Sequence, residues 1–230
     1  MSRAPTDLRS TSATPATRRT RCRPLTDRDD AFVRDLFRST VALGEGRTLA
    51  GRAGAAYERL CLDWYLGPGR DHAAVLELEE RPVGYVLAGD DADHHRWARR
   101  PATAYVAGVA ADHVVGPRDE LRFHHRRLAD GADRFLRPFP PPAPWHAHVN
   151  LVAGGRFADA GLAARDHVDR VVAAHGGDRW YGEINAADGR RAAALARLGL
   201  EVVHRRRSRT FSAVAGRRVD TLTVVRRVPS

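Results

Sequence analysis

Trp145-His146-Ala147-His148-Val149-Asn150-Leu151-Val152-Ala153-Gly154-Gly155-Arg156-Phe157-Ala158-Asp159-Ala160-Gly161-Leu162 is the stretch that decides the fold. His146 to Val152 reads as a strand, and Gly154-Gly155 ends it. Leu162, Ala164, Val168, Val171 and Val172 then recur at helical spacing, so a helix is predicted from about Gly161 to His175. A strand running through a glycine-containing loop into a helix aims backbone N–H groups at one point, which suits an anion such as a pyrophosphate. Any βα junction with glycine shares that pattern, so the junction alone does not define a function.

Working outward, Arg19 to Leu25 reads as a first strand. Thr26 or Asp27 is placed to cap a helix with its stripe at Ala31, Val33, Leu36 and Phe37. Ala55 to Leu66 follows as a second helix, stopped by Gly67-Pro68-Gly69. Ala73 to Leu78 and Pro82 to Ala88 form a hairpin around a short polar turn. Residues 90 to 143 carry many charges and histidines and a proline cluster at 138 to 144. They are expected to be an irregular, partly helical insertion over one face of the sheet. Beyond His175, Trp180 to Ile184 is a strand, Asp188 caps a helix closed by Gly199, and Glu201 to Ser212 with Val219 to Val228 makes a closing hairpin. The order predicts an α/β fold: a mixed, mostly antiparallel twisted sheet of six or seven strands with helices on both faces. Residues 1 to 17, rich in Ser, Thr, Pro and Arg, read as a disordered tail, and 18 to 230 as a single domain.

Composition narrows the function classes. Hydrophobic residues are 43% and no apolar run reaches the ~20 residues of a bilayer span, so no membrane partner is expected. The formal charge is +10, yet no lysine occurs and all 38 basic residues are Arg. A GC-rich genome produces that bias, and the arginines are spread along the chain. A nucleic-acid partner is therefore not the expectation, although a basic nucleic-acid module stays open as a third reading. Cys22 and Cys61 have no metal-type spacing; they read as small buried hydrophobes of a reducing compartment, and a cytoplasmic location is expected. The pairs His94-His95 and His124-His125 are read as solvated rather than chelating, since adjacent side chains point apart.

Residues Pro144 to Arg226 resemble the C-terminal half of a GNAT acetyltransferase. Arg156-Phe157-Ala158-Asp159-Ala160-Gly161 sits where that family has R/Q-x-x-G-x-G/A after a strand. Trp145 to Leu151 resembles the branch whose strand reads H-L-H-I-D/N-L. Glu183-Ile184-Asn185-Ala186-Ala187-Asp188 and Ala194-Leu195-Ala196-Arg197-Leu198-Gly199-Leu200 are similar to the family's V-x-x-x-N-x-R-A-x-x-F-Y-x-x-x-G-F. The resemblance implies acetyl-CoA as acyl donor. It implies pantetheine pairing at Leu151 and Val152, pyrophosphate binding by the 156–161 amides with Leu162 adjoining, and donor contacts at Asn185 and Asp188. It also implies splayed fourth and fifth strands, transfer to the amine of a small molecule by direct attack, and no metal. Two positions depart from the family: Asp159 replaces the middle glycine, and Leu195 stands where a tyrosine usually protonates the leaving thiolate.

His146, His148 and Asn150 alternate onto one strand face. His148 is a candidate proton relay, with Asn150 beside it and Glu183 as a second candidate base; a core-satisfied histidine and a paired glutamate are the competing structural explanations. The expected function is an acyl-CoA-dependent N-acyltransferase. The alternative is a degenerate GNAT-fold protein that binds a ligand or partner without transfer. The last two strands are placed to pair across a homodimer.

Overall fold

The computed structural model describes residues 19–43, 49–115, 118–136, 139, 141–152, 157–187 and 190–229. Seven strands form one sheet: β1 (Arg21–Pro24), β2 (Ala73–Leu78), β3 (Arg81–Asp90), β4 (Trp145–Leu151), β5 (Arg179–Ala186), β6 (Glu201–Arg207) and β7 (Asp220–Arg227). Their order is β1-β2-β3-β4-β5-β7-β6. All neighbours are antiparallel except β4 and β5, which run parallel. Among the described residues, seven α-helices accompany them: α1 (Asp30–Thr40), α2 (Gly51–Leu62), α3 (Asp91–Val115), α4 (Arg118–Leu136), α5 (Phe157–Ala174), α6 (Arg190–Arg197) and α7 (Arg209–Val214). The expected fold class is the observed one.

Two cores lie on opposite faces of the sheet. On one, Val33, Leu36, Phe37, Tyr57, Leu62, Tyr65, Tyr105, Leu121 and Phe123 from α1 to α4 pack on Val75, Tyr85 and Leu87. On the other, Ala164, Val168 and Val172 of α5 and Leu195 of α6 pack on Leu76, Val86, Trp145, Trp180, Leu222 and Val224. The period-two alternation of β2 to β5 thus serves both layers.

Local chemistry explains the elements. Thr26 and Asp29 form a reciprocal capping box that starts the short 3-10 turn leading into α1. The β2–β3 turn places Glu79 at φ 53° and Glu80 at φ 62°, the left-handed pair that a two-residue hairpin of matching twist needs.

Several boundaries differ from expectation for identifiable reasons. The stretch expected to be irregular is two long helices, α3 and α4. Most of its charges lie outside, whereas Asp91, Asp112 and Asp130 go in with Tyr105, Val109, Leu121, Phe123 and His124. α2 starts at Gly51, not Ala55, because the Asp112 carboxylate accepts the Ala53 N–H at 2.8 Å and so caps α2 from α3. α5 starts at Phe157, placing Gly161 inside the helix, where an added Cβ would meet Leu198 Cδ1 at 3.2 Å. The closing strands are joined through α7 rather than a tight turn. Ser208 caps α7 by accepting the Phe211 N–H. Tyr85 of β3 is fully buried.

Candidate active site

The sheet opens between its two parallel strands. The β4–β5 ladder consists of Trp145↔Trp180 and His146↔Tyr181, although each strand continues for five more residues. Val152 donates its N–H to the Val83 carbonyl at 2.9 Å, so the even-numbered backbone groups of β4 face β3. The Ala147 carbonyl lies 3.2 Å from where a Cβ of Gly182 would sit, so the odd-numbered groups face β5. Past the last pair, the backbone groups of Val149 and Leu151 therefore border the opening. The Val152 amide is committed to β3.

α5 begins at Phe157, six positions beyond the last residue of β4. Phe157, Ala158 and Asp159 form its first turn, with Ala160 buried, Gly161 half-buried and Leu162 exposed beyond them. The first N–H groups of any α-helix lack intrahelical acceptors, which gives this end a positive potential. The predicted site residues Arg156 and Asp188 lie outside the described residues.

A buried polar network closes the foot of the opening. His146 Nδ1 lies 2.5 Å from Asp91 Oδ1, and its Nε2 meets the Tyr65 hydroxyl. Tyr181 donates its hydroxyl to Asp91, 3.0 Å from Oδ2. The carboxylate, as acceptor, places the His146 proton on Nδ1 and leaves Nε2 to accept from Tyr65. Burial raises the Tyr65 phenol well above its ordinary range, so it remains a donor. These four residues come from the turn after α2, the start of α3, β4 and β5, and they hold those elements together where the sheet divides.

His148 stands one pleat beyond His146, its ring 5.4 Å from that of His146 and 5.8 Å from that of Tyr65. It is exposed, yet protein crowds its other sides. That crowding first, and the imidazoles of His146 and His94 second, lower its pKa, while contact with solvent tempers the shift. At neutral pH the ring is neutral and keeps a lone pair. His94, expected to be solvated, is half-buried and stacks on Tyr65 at 5.4 Å; burial, then His146, push its pKa down to about 4.

Asn150 is positioned by two hydrogen bonds. Its Nδ2 donates to Tyr85 Oη at 2.5 Å and to Thr40 Oγ1 at 3.0 Å, tying β4 to β3 and α1. Glu183 is held by Arg134 at 3.3 Å and Arg206 at 3.2 Å, one arginine on each carboxylate oxygen. Asn185 accepts from the Thr221 hydroxyl at 2.9 Å across the β5–β7 ladder. Leu195 is buried in the core beneath α6. Tyr65, Asp91 and Tyr181 are the residues that sequence reasoning missed. The alternation of Tyr181 with Glu183 on β5 was the available signal for one of them.

This arrangement is the fold of the GNAT N-acetyltransferases, and structural comparison shows the same. The crystal structure of SsHAT aligns at a TM-score of 0.59 with 19% identity, over 92% of this chain and all of that one. An agmatine N-acetyltransferase mutant in its apo form aligns at 0.55 with 15% identity, covering 90% of this chain and 99% of the other. A GNAT-superfamily phosphinothricin acetyltransferase from Sinorhizobium meliloti, in complex with acetyl-CoA, aligns at 0.52 with 18% identity, covering 91% and 88%. No protein-family model matches the sequence, and no curated protein sequence does either. Among the described residues, no helix is long and apolar enough to cross a membrane.

Proposed function

We propose that the protein is an acyl-CoA-dependent N-acyltransferase that acetylates the amine of a small molecule. The observation that carries this reading is the opening between β4 and β5, bordered by the Val149 and Leu151 backbone, with α5 beginning six positions beyond β4. An extended arm with amide groups fits such an interrupted ladder, as a further strand would. A pyrophosphate fits the helix end. The residues present therefore fit acetyl-CoA, with Val149 and Leu151 on the arm and the first-turn amides of α5 near the phosphates. When bound, it would supply the thioester whose acyl carbon is attacked by the amine, giving an amide and a free thiol.

The chain's own residues then have defined tasks. His148, neutral and exposed beyond the last ladder pair, accepts the ammonium proton directly or through a water. Behind it, Asp91 fixes the His146 tautomer and keeps the strand bases in register. Holding both reactants in one opening makes their encounter effectively unimolecular, a contribution of several kcal/mol. Leucine at 195 leaves no tyrosine acid at that position. A thiolate whose conjugate acid has a pKa near ~8.5 can depart without one.

The test is thiol release from acetyl-CoA across a panel of primary amines. Amine-dependent release supports the proposal, with turnover falling about a hundredfold in His148→Ala. Binding of acetyl-CoA without release by any amine would favour the ligand-binding alternative.

A further inference from the structure

A cavity of about 550 Å³ lies between α4, Phe139, Pro141, Pro142, β5, β6, β7 and α7, with Tyr181 among its lining residues. Tyr181, which pairs with His146 across the β4–β5 ladder and bonds Asp91, is shared between this cavity and the polar network at the foot of the opening. Five arginines line it against three carboxylates, and one of the five, Arg205, also pairs with Asp220 at 3.4 Å.

The carboxylates are already engaged. Asp130 accepts the N–H groups of Arg209 and Thr210 and the hydroxyls of Ser208 and Thr210. Burial works to raise its pKa, and those four hydrogen bonds outweigh it and hold the carboxyl below the ordinary range. Glu183 has Arg134 on one oxygen and Arg206 on the other. Asp133 faces Arg209 at 3.3 Å. A guanidinium presents five N–H donors, so Arg134 and Arg206 retain donor capacity beyond Glu183, whereas both carboxylate oxygens are taken. The surplus is therefore positive and directional. Phe139, stacked on His204 at 4.4 Å between ring centroids, supplies a flat apolar wall.

We infer that this cavity is the acceptor site and that the acceptor is a small primary amine carrying a carboxylate or phosphate. Arg134 and Arg206 hold the anion, and the amine extends past Tyr181 toward His148. Glu183 orients the two guanidinium groups instead of acting as a base. Successive same-face positions on a strand lie roughly 7 Å apart, so an anion at Glu183's arginines and an amine near Tyr181 match a molecule of a few bonds' length. This inference rests on the acyl-transfer reading for the identity of the reaction, but not for the binding of the anion.

Two measurements on the full chain separate the two claims. Acetylation is compared for O-phosphoethanolamine and β-alanine against ethanolamine and propylamine. The anionic amines should give kcat/KM at least about tenfold higher. Arg206→Gln and Arg134→Gln should each raise KM for them about tenfold with little change in kcat, and Arg206→Lys should restore part of the loss. Neutral amines used equally well or better would overturn the inference and leave acyl transfer standing. Calorimetric titration with O-phosphoethanolamine alone reads the anion site even if acetyl-CoA does not bind. Binding to the wild type that weakens in Arg206→Gln, with the fold checked by melting temperature, supports the site. No binding to the wild type at millimolar concentration overturns it.

Discussion

His124 and His125 are neighbours on α4, and only His124 enters the core, with 1% of its surface exposed. Its Nδ1 meets the Tyr105 hydroxyl at 3.0 Å, and its buried Nε2 has no hydrogen-bond partner among the described residues. Burial pushes its pKa down to about 4. In the unfolded chain the ring takes a proton near pH ~6.5, whereas the folded protein resists it down to about 4. Between those values the unfolded state binds more protons, so stability falls as pH falls, by up to about 3 kcal/mol from this residue. Denaturant unfolding at pH 7, 5.5 and 4.5 should show that loss, and His124→Gln should flatten the slope. An unchanged slope would place the titration elsewhere. Residue-scale features were legible where period two governs: the shared face of His146, His148 and Asn150 follows from alternation alone. The partners of His146 were not, because Tyr65 and Asp91 lie 81 and 55 positions away.

α2 shows the same limit at the scale of an element. Its apolar stripe was readable, but its start was not, since the cap comes from Asp112 on α3, 59 positions on. Gly51 permits the arrangement: its φ is +73°, and a Cβ there would lie 2.6 Å from the Asp112 carboxylate. Asp112→Ala should cost about 1 kcal/mol or somewhat more, given its burial, and hydrogen exchange should speed up in the first turn of α2 alone. Uniform acceleration along the helix would contradict a capping role. The α3–α4 region read as irregular for a related reason. Its polar residues obscure the stripe, and Pro101 sits within α3 itself. Strand–helix alternation in the C-terminal half needed no long-range partner, and there the predicted elements match the observed ones within a few residues. α7 is the exception, its six residues held by Asp130 of α4.

For the molecule as a whole, the division of the sheet organises the account. Antiparallel pairing runs unbroken from β1 to β4 and from β5 through β7 to β6, and the two halves join at two residue pairs. The Asp91–His146 contact and its tyrosines brace that junction, and one core lies on each face. Asp159, in the first turn of α5, is a carboxylate near the proposed phosphate position. The most direct test of the central claim is calorimetric titration with acetyl-CoA, with desulfo-CoA and ATP as controls, alongside a thermal-shift series. The account predicts one site of micromolar affinity and stabilisation of about 2.7 kcal/mol at a hundredfold excess over Kd. No heat and no shift at millimolar acetyl-CoA would contradict it, leaving a GNAT fold whose divided sheet serves some other ligand.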